Sequence, residues 1–359
     1  MIKNKNILPE ARVKLIGGGI KRKSLFEEVI SLKNLFLSWG EFKKGKNKKK
    51  DVIEFKCDFK NKIFELYNEL KRKKYHHSAY YSFCVKDPKL RHIHKATVRD
   101  RILHHAVFRI LYPIFDKSFI FDSYSCRINK GTHKAVNRLQ YFANKVSKNN
   151  TKDCFILKCD IKKYFDSVNH DILTSLIRDK IKDKNIMWLI DVIINSYSTF
   201  SIIGIPLGNI TSQLFANIYL NELDKYIKQE LKIKYYIRYC DDFLILSTNR
   251  NYLKNLICKV GDYLDKKLNL SLHPNKITIT KYRQGIDFLG YIIFPYHRVL
   301  RVKTKKRMIR NIQQRLLCYN KGEITKESFN QTVKSYAGVL KHCDSHKIKI
   351  KNIELLSCK

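Results

Sequence analysis

Acid is scarce in this sequence relative to base. Across 359 residues, 32 Asp and Glu stand against 72 Lys and Arg, leaving a net charge of +40. So one-sided a surface repels itself unless an anion shares it, and a polyphosphate backbone does so while releasing its own counterions. Lys-Asn-Lys runs recur along the chain, so part of the excess is a bias in lysine usage, and charge alone is only weak support for a nucleic-acid partner. Long apolar runs are missing too. Lys, Asp or Asn interrupts each apolar stretch within about ten residues, against the ~20 a membrane span requires. No apolar leader follows Met1-Ile-Lys-Asn-Lys. The expected location is therefore cytoplasmic, with no membrane partner. Ten cysteines are present, yet none forms a CxxC pair, which argues against a disulfide framework. His342-Cys-Asp-Ser-His346 carries ligand-type residues but lacks the second cluster of a zinc site. No internal repeat or low-complexity linker divides the chain, and its length exceeds that of a usual single domain, as suits a multi-lobed enzyme.

What is present is a pair of acids in an unusual place. In Tyr235-Tyr-Ile-Arg-Tyr-Cys-Asp-Asp-Phe-Leu-Ile-Leu246, Asp241 and Asp242 sit between two short apolar runs of strand-forming residues, which reads as a β-hairpin with acid at its turn. Taken alone, two acids in a turn are usually solvated surface. Held at a rigid tip, however, they repel each other, and a divalent cation offsets that repulsion. A third acid lies upstream, in Cys154-Phe-Ile-Leu-Lys-Cys-Asp-Ile-Lys-Lys-Tyr-Phe-Asp-Ser-Val-Asn-His170. Residues Phe155 to Leu157 read as a buried strand, Asp160 leaves its end, and Ile172, Leu173, Leu176 and Ile177 recur at helical spacing. If that strand lies beside the hairpin, Asp160, Asp241 and Asp242 can hold two Mg²⁺ about 3.5–4 Å apart, the arrangement that activates a 3′-hydroxyl and stabilises a leaving pyrophosphate.

With these residues in view, the chain resembles reverse transcriptases of the palm, fingers and thumb type over roughly residues 85–345. The motifs follow in order: Pro88-Lys-Leu-Arg-His-Ile-His94 with Val98-Arg-Asp-Arg-Ile-Leu-His-His105, Phe121-Asp-Ser-Tyr-Ser-Cys-Arg-Ile-Asn-Lys-Gly-Thr-His133, and Lys158-Cys-Asp-Ile-Lys-Lys-Tyr-Phe165. Gly204-Ile-Pro-Leu-Gly-Asn-Ile-Thr-Ser-Gln213, Tyr239-Cys-Asp-Asp242, Leu272-His-Pro-Asn-Lys276 and Phe288-Leu-Gly-Tyr291 complete them. The resemblance implies an α+β right-hand polymerase fold in which an antiparallel palm sheet is backed by helices and the thumb is small and helical. It implies Asp160, Asp241 and Asp242 as catalytic acids and, with the backbone carbonyl of Ile161, as ligands of two Mg²⁺, with Mn²⁺ able to substitute. It also implies Phe165 as the side chain that excludes a 2′-hydroxyl, so that the monomers are dNTPs. Lys89 and Arg91 resemble cations that hold the triphosphate, and Lys276 is placed to assist the pyrophosphate leaving group by charge or proton donation. Gly208, Ser212 and Gln213 belong to the motif bordering the templating base and the incoming nucleotide. The partners implied are a template RNA and its RNA/DNA hybrid.

The expected organisation is a basic N-terminal extension over 1–85, fingers over 86–150, a palm over 151–295 and a thumb with C-terminal tail over 296–359. Within the extension, Phe42-Lys-Lys-Gly-Lys-Asn-Lys-Lys-Lys50 is either a solvated basic loop or a clamp for template phosphates. Aromatics in Tyr75-His-His-Ser-Ala-Tyr-Tyr81 either stack on bases or pack internally. Helical spacing predicts a helix over Asp100–Leu111 ended by Pro113, with His104 and His105 as surface or core residues rather than ligands. Further helices are expected over Leu214–Lys228, Leu253–Leu268, Lys303–Tyr319 and Thr325–His342.

Gln213 bears on the subtype. Group II intron enzymes typically carry proline after the serine of this motif, whereas Ser212-Gln213 looks like enzymes of diversity-generating retroelements, and Ser335-Tyr-Ala-Gly-Val-Leu-Lys-His-Cys-Asp-Ser345 is similar to their thumb. That subtype implies copying of one dedicated RNA, errors concentrated opposite template adenines, and a small basic accessory protein. No room for an endonuclease or RNase H domain is expected after the thumb, so mobility by this chain alone is not. Two other readings stay open: an antiviral defence-associated or unclassified bacterial reverse transcriptase, and an inactive RNA-binding protein that kept the fold. Alternatively, Gln213 only caps or packs a helix beginning near Leu214.

Overall fold

The computed structural model describes residues 24–87 and 89–345. Four helices come first: α1 (Leu25–Ile30), α2 (Leu32–Phe42), α3 (Lys50–Cys57) and α4 (Phe59–Lys71). Ser24 and Glu27 close a capping box at the start of α1, satisfying backbone donors that a first turn leaves open. The apolar stripes of these helices, including Leu35, Trp39, Ile63 and Leu66, are buried in the same core as the long helix α5 (Val98–Asp116). Residues 24–71 of the expected extension are thus a helical layer. Between it and α5 lies an exposed hairpin, β1 (Tyr81–Val85) with β2 (Arg91–Lys95). Asp51 accepts from Lys95 Nζ at 2.7 Å and from Arg101 Nη2 at 2.6 Å, tying α3, β2 and α5 together.

Pro113 does not end α5; the helix runs three residues further. Proline removes one ladder donor, but packing and a side-chain bond within the helix hold the last turn: Phe115 is buried, and Tyr112 Oη donates to Asp116 at 2.9 Å. After α6 (Thr132–Val146) and β3 (Phe155–Asp160) come α7 (Tyr164–Ser167), α8 (His170–Lys180) and α9 (Lys184–Asn195). The next helix, α10, begins at Ile210 rather than near Leu214 and ends at Lys225. Asn209 N-caps it by position, so Gln213 lies within the first turn, exposed, neither capping nor packed inside.

Strands β4 (Tyr236–Tyr239) and β5 (Asp242–Ser247), the helix α11 (Arg250–Leu268) and β6 (Thr278–Lys281) complete the central layer. The sheet is antiparallel throughout, in the order β4-β5-β3-β6. Its strands alternate between two apolar cores because successive side chains point to opposite faces. Leu157, Cys159, Tyr236, Phe243 and Ile245 face the core built with α5, α8, α10 and α11. Ile156, Ile237, Leu244 and Leu246 face a second core, shared with α6 and with the small sheet β7 (Ile286–Phe288), β8 (Tyr291–Ile293) and β9 (Arg298–Leu300). Helices α12 (Val302–Asn320) and α13 (Lys326–Leu340) close that second core through Met308, Ile312, Phe329 and Leu340. The architecture is α+β, and no helix of the described residues is long and apolar enough to cross a membrane.

Candidate active site

The β4–β5 hairpin turns on two residues, Cys240 and Asp241, with Tyr239 paired to Asp242. Asp160, the last residue of β3, is the direct cross-strand partner of Asp242. The two carboxylates therefore leave neighbouring strands on one face, the face of Ile156 and Leu244, at the end of the sheet where the hairpin turns. One residue further, Ile161 pairs with Leu272 in an isolated bridge, framed by Lys162 N–H to Ser271 O at 2.9 Å and His273 N–H to Asp160 O at 2.8 Å. In such a pair the residue's own N–H and C=O point away from its partner, so the Ile161 carbonyl faces the β4–β5 side. The short turn Pro274–Lys276 then delivers Lys276, whose Nζ donates to Asp160 Oδ1 at 2.7 Å.

Burial raises the Asp241 carboxyl above its ordinary range, and the Asp160 charge adds to the rise. Asp242 is pushed up to about 6, by burial first, with Lys158 opposing and Asp241 and Asp160 reinforcing. Negative charge at this tip is thus under-compensated by the protein alone. Among the described residues no three His, Cys, Asp or Glu side chains close into one cation cage; Asp160 is turned to Lys276 instead. The donor set is an open one of hard oxygens, the kind that suits Mg²⁺, which keeps several of its waters and takes only a few carboxylates.

Beside the acids lies a cleft of about 430 Å³ lined by Lys89, Lys158, Asp160, Asp242, Lys276 and Arg301, together with Gly285, Ile286, Asp287 and Gly290. Lys158 Nζ spans to the Asp287 carbonyl at 2.9 Å, tying the sheet to the β7 strand. Asp160, Asp242, Lys276 and Lys89 therefore share one cleft. Arg91, Phe165, Gly208, Ser212 and Gln213 do not line it.

Gly208 lies in the segment leading into α10, Ser212 and Gln213 lie in the first turn of α10 itself, and Phe165 and the strand of Arg91 meet that segment. Phe165 is half-buried, and its carbonyl accepts from Ile205 N–H at 2.8 Å. Gly208 has φ +118°, and a Cβ there would stand 3.0 Å from Ile93 Cγ2 in β2. Leu207 O accepts from His94 N–H at 3.0 Å, and Asn209 Nδ2 donates to His94 O at 3.2 Å, so β2 rests on this loop. Arg91 shares the face of β2 that turns Ile93 toward Gly208. Ser212 is buried. Of the aromatics at 75–81, Tyr75 is buried with its Oη donating to Asp100 at 2.8 Å, and Tyr80 stacks on His77, leaving Tyr81 exposed. His104 is a core residue, its Nε2 at 3.1 Å from His77 Nε2 and its Nδ1 at 3.3 Å from Thr211 Oγ1. The lysines at 43–49 lie between α2 and α3 on the surface, with Lys46 half-buried over the Phe42 ring. His346 lies outside the described residues.

Sequence reasoning missed Arg238, fully buried in β4 and paired with Asp224 of α10. The available signal was a lone charge inside the apolar run Tyr-Ile-Arg-Tyr, which needs a buried partner to be tolerated.

A family model described as reverse transcriptase (RNA-dependent DNA polymerase) matches residues 85–293. The chain belongs to the reverse transcriptase family. It has that family's right-hand polymerase fold, in a mixed helix and sheet arrangement. Among curated proteins it is 24% identical to the putative COX1/OXI3 intron 2 protein of Saccharomyces cerevisiae, over 54% of this chain and 29% of the relative. It is 26% identical to the group II intron-encoded protein LtrA of Lactococcus lactis, over 61% of this chain and 46% of the relative. The chain therefore spans less than half the length of either. The apo telomerase of Candida tropicalis aligns at TM-score 0.48 and 14% identity, covering 67% of this chain and 52% of that one.

Proposed function

We propose that the chain is an active RNA-directed DNA polymerase that copies a dedicated template RNA into cDNA. The observation that carries this reading is the pairing of Asp160 with Asp242 beside Asp241, on the face that opens into a cation-lined cleft. Two Mg²⁺ held by the three acids and the Ile161 carbonyl would supply activation of the primer 3′-hydroxyl and neutralisation of the leaving group. The 3′-oxygen attacks the α-phosphorus of a dNTP, its proton passes to solvent water, and the bond from the α-phosphorus to the oxygen bridging to the β-phosphate breaks to release pyrophosphate. Lys276 neutralises or protonates that leaving group, Lys89 and Arg91 hold the triphosphate, and Phe165 packs against the sugar where a 2′-hydroxyl would sit. In this reading residues 86–150 are fingers, 151–295 palm and 296–345 the described part of the thumb.

The subtype proposed is that of diversity-generating retroelements, with adenine-directed errors. Its support is Gln213, exposed on the first turn of α10, where its amide can both donate and accept. An intron-encoded role is the second reading, favoured by the names of the two curated relatives. One experiment tests both levels. Purified protein extends oligo-dT on polyA with Mg²⁺, and cDNA is then sequenced from a template holding all four bases, for the parent, Asp241→Asn and Gln213→Pro. The expected result is loss of synthesis in Asp241→Asn and adenine-biased errors in the parent that fall in Gln213→Pro. Substantial extension by Asp241→Asn sinks the metal site. Even error rates at all four bases in an active parent sink the subtype and leave the intron-type or defence-type readings ahead.

A further inference from the structure

Arg238 is among the largest fully buried side chains of the described residues, at 0% exposure, in the middle of β4. Its side chain leaves the sheet on the face of Tyr236 and Phe243, against α10. Two of its nitrogens form a fork onto Asp224: Nε to Oδ1 at 2.8 Å and Nη2 to Oδ2 at 2.6 Å. Asp224 also accepts from Tyr236 Oη at 2.7 Å, so its charge is fully satisfied. The remaining nitrogen, Nη1, points out of the pair. It donates to the carbonyl of Cys240 at 3.1 Å and lies 3.4 Å from Asn217 Oδ1. The backbone of Arg238 is pinned as well: its N–H donates to Asp122 O and its carbonyl accepts from Tyr124 N–H, both at 3.0 Å.

The carbonyl it holds matters because of the turn. Cys240 stands at φ +58°, while Asp241 is not among the residues with positive φ. That sign pattern is the one of a type II′ turn, in which the first central residue is normally glycine. Types I′ and II′ differ mainly by a rotation of the central peptide, here Cys240 C=O with Asp241 N–H. The same peptide runs directly into the Cα of Asp241. A side chain that fixes this carbonyl therefore fixes the direction of the acid. A buried ion pair is a poor device for stability alone, since apolar residues of similar volume often serve as well or better. Arg also offers what Lys cannot, a planar fork with a donor to spare.

We propose that Arg238 is a positioning residue for the metal-binding turn: anchored by Asp224, it holds the Cys240 carbonyl and so sets where Asp241 and Asp242 point. The inference rests on the reading of those acids as metal ligands.

The deciding variant is Arg238→Lys, which keeps the charge opposite Asp224 but cannot fork onto Asp224 and still hold the Cys240 carbonyl. Mn²⁺ binding to the protein without nucleic acid is followed by electron paramagnetic resonance, and single-turnover extension is measured against Mg²⁺ concentration. The expected result is a metal half-saturation about 10-fold higher and an extension rate lowered to a similar degree, with primer–template affinity near that of the parent. Tyr236→Phe is the control, since it strips another buried hydrogen bond from Asp224 without touching the turn. It should lower Tm and leave the metal half-saturation unchanged. If Arg238→Lys is not recovered folded, the double substitution Arg238→Gln with Asp224→Asn decides, because it leaves neither charge buried alone. Parent-like metal binding and rate in the folded variant overturn the proposal, as does an equal metal shift in Tyr236→Phe. If the parent itself shows no Mg²⁺-dependent synthesis, the metal-site reading fails and this inference with it. If the parent is active, Asp241→Asn is dead and Arg238→Lys is normal, only the positioning role falls.

Discussion

Asp242 carries the clearest residue-scale consequence. Its folded-state pKa of about 6 lies above the ~3.9 of an unfolded aspartate. A raised carboxyl binds its proton more tightly when folded, so this group favours the fold below pH ~4 and loses that contribution as pH rises to ~6. In the absence of divalent metal, Asp242→Asn should then raise stability near pH 7 by about 2 kcal/mol and flatten the decline of Tm across pH 4–6. A metal-free melt in which the variant is less stable than the parent at pH 7, or retains the full pH slope, would show that the charge is already compensated. The three acids were legible in the sequence because each ends or flanks an apolar run, a purely local pattern. Arg238 was not, because its partner Asp224 lies 14 positions away in sequence and meets it only once α10 packs on the sheet. Lys158 is a similar case. It sits in the predicted strand, but its bond to the Asp287 carbonyl spans 129 positions.

At the scale of elements, the loop before α10 meets β2 at Gly208. A side chain there is disfavoured twice, by φ +118° and by the 3.0 Å approach of Ile93 Cγ2 to its would-be Cβ. Gly208→Ala should therefore cost about 1–3 kcal/mol of stability and push the β1–β2 hairpin off the loop. Since that hairpin carries Arg91 and leads from Lys89, the expected kinetic signature is a raised KM for dNTP with primer–template affinity retained, read by steady-state extension and filter binding. An unchanged KM in a folded Gly208→Ala would detach the hairpin from nucleotide binding. Periodicity located the helices well, from α10 and α11 to the pair α12 and α13. It failed at their ends, for two physical reasons. Pro113 lies inside α5 because packing of Phe115 and the Tyr112–Asp116 bond outweigh one missing donor. The start of α10 was set too late because Ile210, Thr211 and Ser212 read as loop until Asn209 is seen docked on His94.

For the whole molecule, the question is whether +40 is a binding surface or a habit of composition. Four cations, Lys89, Lys158, Lys276 and Arg301, ring the cleft that holds Asp160 and Asp242. Lys303, Lys306 and Arg310 are exposed on α12 at spacings of three and four, which places them along one side of that helix, directly after Arg301. Arg310 reaches 3.7 Å from Asp87, in the connection between β1 and β2, so this basic side borders the hairpin as well. A hybrid backbone tracking from the acids along α12 would neutralise several phosphates at once. Each such contact releases counterions, so affinity for an RNA/DNA hybrid should fall with salt on a log–log slope near −4, about 10²-fold between 50 and 200 mM. Lys303→Gln with Lys306→Gln should weaken binding about equally on all sequences and make that slope shallower by about 2. Fluorescence anisotropy at several salt concentrations reads both quantities. A parent slope near −1, or a double variant with the parent's slope, would assign the lysine excess on α12 to composition and require the hybrid to leave the cleft by another face.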